Sequence, residues 1–75
     1  MDTKKDIDTC GYCCPVPLLK LVKTLKTVDK GDLVGIKVTD KDFDRDVSRA
    51  EEVGKLKVVS KTEGDDYDYF IIEKV

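Results

Sequence analysis

The stretch PVPLLKLVKTLKTVDKGDLVGIKVTD, Pro15–Asp40, decides how this chain folds. In its first half Leu18, Leu21, Val22, Leu25 and Val28 recur at spacings of three and four residues, and Leu19 widens the stripe. Lys20, Lys23 and Lys26, with Thr24 and Thr27, take the other side. That pattern predicts an amphipathic helix of about three turns. Asp29-Lys30-Gly31-Asp32 ends it, Gly31 being suited to the left-handed residue that follows a last turn. The second half switches to alternation: Leu33 or Val34, then Ile36 and Val38, predicts a strand.

Working outward, DKDFDRDVSRAEEVG (40–54) places Phe43, Val47, Ala50 and Val53 on a narrow helical stripe. Asp42 and Asp44 suit its first turn, where the helix dipole favours negative charge, and Gly54 closes it. KLKVVSKTE (55–63) and DYFIIEKV (68–75) read as two strands joined across EGDD. Leu56, Val58 and Ser60 are expected on one face of the first, with Tyr69, Ile71 and Glu73 opposite Phe70, Ile72 and Lys74 in the second. Ahead of the opening stretch, Lys5–Thr9 is a short strand with Ile7 as its aliphatic residue. The order is β-α-β-α-β-β. Two helices cannot cover both faces of a four-stranded sheet in so short a chain. The expected fold is therefore α+β: a two-layer α/β sandwich, with a mixed sheet and both helices on one face.

The chain has 75 residues, so one domain spanning 1–75 is expected. With 40% hydrophobic and 40% charged residues it reads as a soluble globular protein, not a disordered one. The net charge of −2 argues against nucleic-acid binding driven by gross charge. No apolar run approaches the roughly 20 residues of a membrane span. MDTKKDID has lysines but no apolar segment behind them, so it does not read as a secretory signal and a cytoplasmic location is expected.

Chemistry concentrates in CGYCCPVP, Cys10–Pro17, which holds all three cysteines and both prolines. There is no histidine, hence neither the commonest general base nor the commonest metal ligand. Zinc and iron–sulfur sites usually take four ligands from separated pairs, which Cys10, Cys13 and Cys14 do not supply. A thiol–disulfide or metal-binding module using Cys10 with Cys13 or Cys14 stays open as the alternative. Buried, inert thiols are the blander one.

Cys14 stands apart. Pro15 suits the first helical position and Pro17 still lies in the first turn, so neither removes a helical hydrogen bond. Cys14 is then expected at the N-cap, beside the positive end of the helix dipole and the free N–H groups of Val16 and Leu18. A thiolate or persulfide is favoured there. Without a base nearby, hydrolysis and acyl transfer are poorly supported. Moving sulfane sulfur between thiolates needs little acid–base help.

DTCGYCCPVPLLKLVKTL resembles the hallmark of the TusA/SirA-like sulfur-carrier proteins: an acidic residue, a glycine, then Cys-Pro-x-Pro at the head of a helix. Asp8, Gly11, Cys14, Pro15, Val16 and Pro17 occupy those places. The likeness continues through Leu18-Leu19-Lys20, Gly31-Asp32 and Arg45-Asp46-Val47, covering essentially the whole chain. It implies the same β-α-β-α-β-β sandwich and a persulfide on Cys14, a sulfurtransferase-type relay without cofactor or metal. It further implies a cysteine desulfurase or rhodanese as donor and DsrE-like or other sulfur-relay proteins as acceptors. The sulfur would serve tRNA thiolation, cofactor synthesis or sulfur metabolism. No direct contact with nucleic acid or membrane is expected, and the carrier is expected to be a monomer. The chain departs from the pattern in two ways. TDKDFDRDV lacks the proline many members carry near the second acidic turn, and Cys10 and Cys13 lie outside the core motif, as candidate resolving or regulatory thiols. Lys20 and Lys23 on the first helix, with Arg45 and Asp46 on the second, are the candidate partner-binding residues.

Overall fold

The computed structural model describes residues 3–12 and 16–75. Its elements are β1 (Lys5–Thr9), α1 (Val16–Leu25), β2 (Leu33–Val38), α2 (Phe43–Glu52), β3 (Leu56–Glu63) and β4 (Asp68–Lys74). The strands form one mixed sheet in the order β1-β2-β4-β3. β1 runs parallel to β2, with Ile7 opposite Ile36 and Thr9 opposite Val38. β4 lies antiparallel to both β2 and β3, so β1, β2 and β3 all point the same way. Both helices pack on one face, and the fold is the expected two-layer sandwich.

That face is the core. Val34, Ile36 and Val38 of β2 and Phe70 and Ile72 of β4 are buried against Leu21 and Leu25 of α1 and Phe43 and Val47 of α2. Phe43 meets Phe70 edge to face, with ring centroids 5.0 Å apart, a geometry aromatic quadrupoles favour. Alternation in the strands and three-and-four spacing in the helices aim these residues at one another.

Details differ from expectation. Leu19 does not widen the α1 stripe: it is 55% exposed, and Pro17 takes the buried place one turn before Leu21. Because Pro17, Leu21 and Leu25 are spaced by four, the buried line turns away from Leu19. The helix also stops at Leu25, short of the loop at 29–32. There Thr27 donates both its N–H and its hydroxyl to the Thr24 carbonyl, and such local bonds compete with helical ones. Gly31 does adopt a positive φ, 91°, but in the turn into β2. Val53, expected on the α2 stripe, is the C-cap and 65% exposed. In β3 the pairing slips between Val58 and Ser60. This bulge sets Ser60 opposite Ile71 and brings Lys61 opposite Phe70, reversing the expected facing of Ser60. Lys61 Nζ lies 5.7 Å from the Phe70 ring centroid and pairs with Asp44 at 2.6 Å and Glu63 at 3.2 Å.

Candidate functional site

Parallel strands joined by crossover helices put both helix N-termini at one end of the sheet. Here α1 starts beyond the C-terminal end of β1 and α2 beyond that of β2, and the β3–β4 turn closes the same end. The cysteine segment connects β1 to α1 at this end.

Its first half is firmly built. Thr9, fully buried, donates its hydroxyl to the Lys37 carbonyl at 2.6 Å, which fixes the last residue of β1. The chain then reverses, the Tyr12 N–H donating to the Thr9 carbonyl at 3.1 Å. Gly11 occupies the third position of this turn with φ 88°, where a type II turn demands a positive φ. A Cβ at Gly11 would touch nothing, so glycine is required by backbone conformation and not by space. Gly11 donates its N–H to Thr39 Oγ1 at 2.9 Å, tying the turn to the end of β2. The Asp8 carboxylate accepts the Cys10 N–H at 3.0 Å, an Asx turn.

Asp8 and Cys10 are electrostatically linked. The backbone N–H of Cys10, then its thiol, hold the Asp8 carboxyl below its usual range, with Lys37 adding to the effect. Partial loss of hydration, then the Asp8 carboxylate, push the Cys10 thiol up. Cys10 is thus exposed, with a thiol less ready to ionise than an ordinary cysteine.

The sequence-derived site residues fall into three groups. Asp8, Gly11 and Cys10 come together in the turn just described. Cys13, Cys14 and Pro15 lie outside the described residues, and with them the N-cap placement of Cys14; Pro17 is buried in the first turn of α1. The charged residues disperse. Lys20 Nζ lies 4.9 Å from the Tyr12 ring centroid, next to the turn, whereas Lys23 belongs to the last turn of α1, away from it. Arg45 bonds Asp42 Oδ1 at 2.8 Å within the first turn of α2, and half-buried Asp46 donates its N–H to the Asp42 carbonyl.

Sequence reasoning passed over Thr9, Thr39 and the residues on the far face of the sheet. There the Tyr69 hydroxyl donates to Asp6 Oδ1 at 2.8 Å, reaching across β2. It can do so because Gly35 sits between them: a Cβ there would overlap the Tyr69 hydroxyl and the Asp6 carboxylate. The available signal was a glycine in a strand interior, which often marks such a close approach.

The arrangement defines a class: a small α+β sandwich presenting a cysteine-bearing loop at the end where both helices begin. The chain belongs to the TusA family, for the family model described as Sulfurtransferase TusA matches residues 5–74. It is 34% identical to the Sulfur carrier protein TusA of Allochromatium vinosum, over 97% of this chain and 96% of that protein. It is also similar to the Putative sulfur carrier protein of Archaeoglobus fulgidus, at 28% identity over 92% of this chain and 94% of the other. With the Putative sulfur carrier protein YrkI of Bacillus subtilis it shares 26% identity over 99% of both.

Proposed function

We propose that this chain is a sulfur carrier that holds sulfane sulfur as a persulfide on Cys14 and passes it between proteins. The observation that carries this reading is the match to the TusA family over residues 5–74. The Cys14-Pro15-Val16-Pro17 motif lies within that span, at the sequence position where α1 starts. In the loading step the Cys14 thiolate attacks the terminal sulfur of a donor persulfide. The donor's S–S bond breaks, its cysteine leaves as a thiolate, and a new S–S bond forms on Cys14. Two electrons stay with the departing thiolate, so no outside oxidant or reductant is needed. Unloading is the same exchange with an acceptor thiolate.

On this reading the donor is a cysteine desulfurase or rhodanese and the acceptor a DsrE-like or other sulfur-relay protein, in the cytoplasm. The sulfur goes toward tRNA thiolation, cofactor synthesis or sulfur metabolism. The whole chain acts as one domain, with Lys20 and Arg45 available to partners near the loop. The alternative, a dithiol that uses Cys10 as attacking group, gains no support from a Cys10 thiol that partial loss of hydration and then the Asp8 carboxylate make harder to ionise. Incubation with a cysteine desulfurase and labelled cysteine, followed by intact mass, tests the proposal. A gain of one sulfur that disappears in Cys14→Ser and persists in Cys10→Ser is expected. Loading that survives Cys14→Ser would overturn it.

A further inference from the structure

The end of the molecule opposite the cysteine loop carries a groove of different chemistry. It lies where α1 ends, β3 begins and β4 finishes, with a volume of about 330 Å³. Half-buried Val22, buried Leu25 and Leu56 and exposed Val75 supply its apolar lining, and Lys26, Lys55 and Lys74 its polar one. Among the described residues no acidic side chain lines it, although the chain as a whole carries a net charge of −2.

Two acidic residues close in sequence, Glu51 and Asp32, are engaged with backbone N–H groups. Glu51 Oε2 accepts the Val58 N–H at 2.8 Å, and Asp32 Oδ2 accepts the Asp29 N–H at 2.9 Å. Lys26, Lys55 and Lys74 form no ion pair among the described residues. Three like charges around an apolar floor repel one another and favour an occupant that brings carboxylates. Size narrows the choice further. The groove is at the small end of ligand pockets, about 300–1,000 Å³, and suits one or two aliphatic side chains more than a long acyl chain.

We infer that this groove binds an acidic peptide segment of a partner protein. An aliphatic side chain rests on Val22, Leu25 and Leu56, and flanking carboxylates meet Lys26, Lys55 and Lys74. An occupant here leaves the cysteine loop uncovered, so a partner can stay docked while sulfur is exchanged at the other end. The binding does not depend on Cys14 or on the proposed relay.

The test is fluorescence anisotropy of a labelled, end-capped peptide, Glu-Leu-Leu-Glu-Glu, titrated with the full chain. Saturable binding that weakens with salt is expected. Affinity should fall roughly tenfold in Lys26→Glu/Lys55→Glu and stay unchanged in Lys41→Glu, with matching circular dichroism in all three proteins. Peptides with Gln for Glu, or Ala for Leu, should bind more weakly. Absence of saturable binding, or equal binding by the Gln peptide or by the double variant, would overturn the proposal. So would binding of dodecanoate in place of the peptide. Repeating the titration with Cys14→Ser should give the same affinity, which separates failure here from failure of the sulfur-carrier reading.

Discussion

The two faces of the sheet are held by different physics. On the covered face, Val34, Ile36, Val38, Phe70 and Ile72 meet Leu21, Leu25, Phe43 and Val47, all buried. Stabilisation there is spread over many contacts and scales with apolar area. On the open face, which carries no helix among the described residues, the Tyr69 hydroxyl donates to Asp6 over Gly35 across the strands. That tie matters because β1 pairs with β2 alone and leads directly into the cysteine loop. The covered face therefore carries the apolar stabilisation, while the open face adds a polar tie that helps to hold β1 to the sheet.

Breaking the covered face should have the largest effect. Phe43→Ala removes a ring that is 1% exposed and packed against Phe70, and is expected to cost about 3–5 kcal/mol. Urea unfolding should show the whole chain losing stability together. On the open face, Gly35→Ala is expected to cost about 1–3 kcal/mol, because the new Cβ evicts the Tyr69 hydroxyl from Asp6. Tyr69→Phe, which removes only the hydrogen bond, should cost about 0.5–1.5 kcal/mol. Amide exchange sharpens the contrast between these variants: both should speed exchange in β1 more than in β4, whereas uniform acceleration would mean that the tie is not local.

The smallest effect is expected within the loop itself. Asp8→Asn removes the carboxylate that helps to keep the Cys10 thiol protonated, so the thiol pKa should fall back toward its ordinary value of 9.0. Alkylation of Cys10, followed against pH in a Cys13→Ser/Cys14→Ser background, should then accelerate at lower pH than with Asp8 present. The sign for stability follows from the same pair. Asp8 has a depressed pKa, so its contribution is fully present above its ordinary 3.8 and is lost as pH falls through the depressed value. Cys10 has a raised one, so its contribution is present below 9.0 and is lost as pH rises through the raised value.

Much of the fold was legible in the pattern of residues. β1 matched its expected limits, and the stripes of α1 and α2 identified Leu21, Leu25, Phe43 and Val47 as core. Errors fell where periodicity gave way to local competition: Thr24 and Thr27 ended α1 early, and the bulge after Val58 turned Ser60 outward. In the site, the resemblance singled out Gly11 and Asp8, which the structure brings together in the turn after β1. Thr9 and Thr39 were not, since a threonine beside a strand end carries no signal of which backbone group it will meet.

What the sequence determined by itself was therefore everything governed by spacing along the chain: which residues are apolar, at what period, and that three cysteines lie within five positions. Those facts select a sheet covered on one face by two helices, since hydrophobic burial needs only that the periods match. The tertiary structure alone decided which strands are neighbours. Pairing β2 with β4 is what carries Tyr69 over Gly35 to Asp6, 63 residues away in sequence. Parallel alignment of β1 with β2 is what brings Thr39 to Gly11. Contacts of that kind depend on register between distant segments, and no local pattern encodes a register.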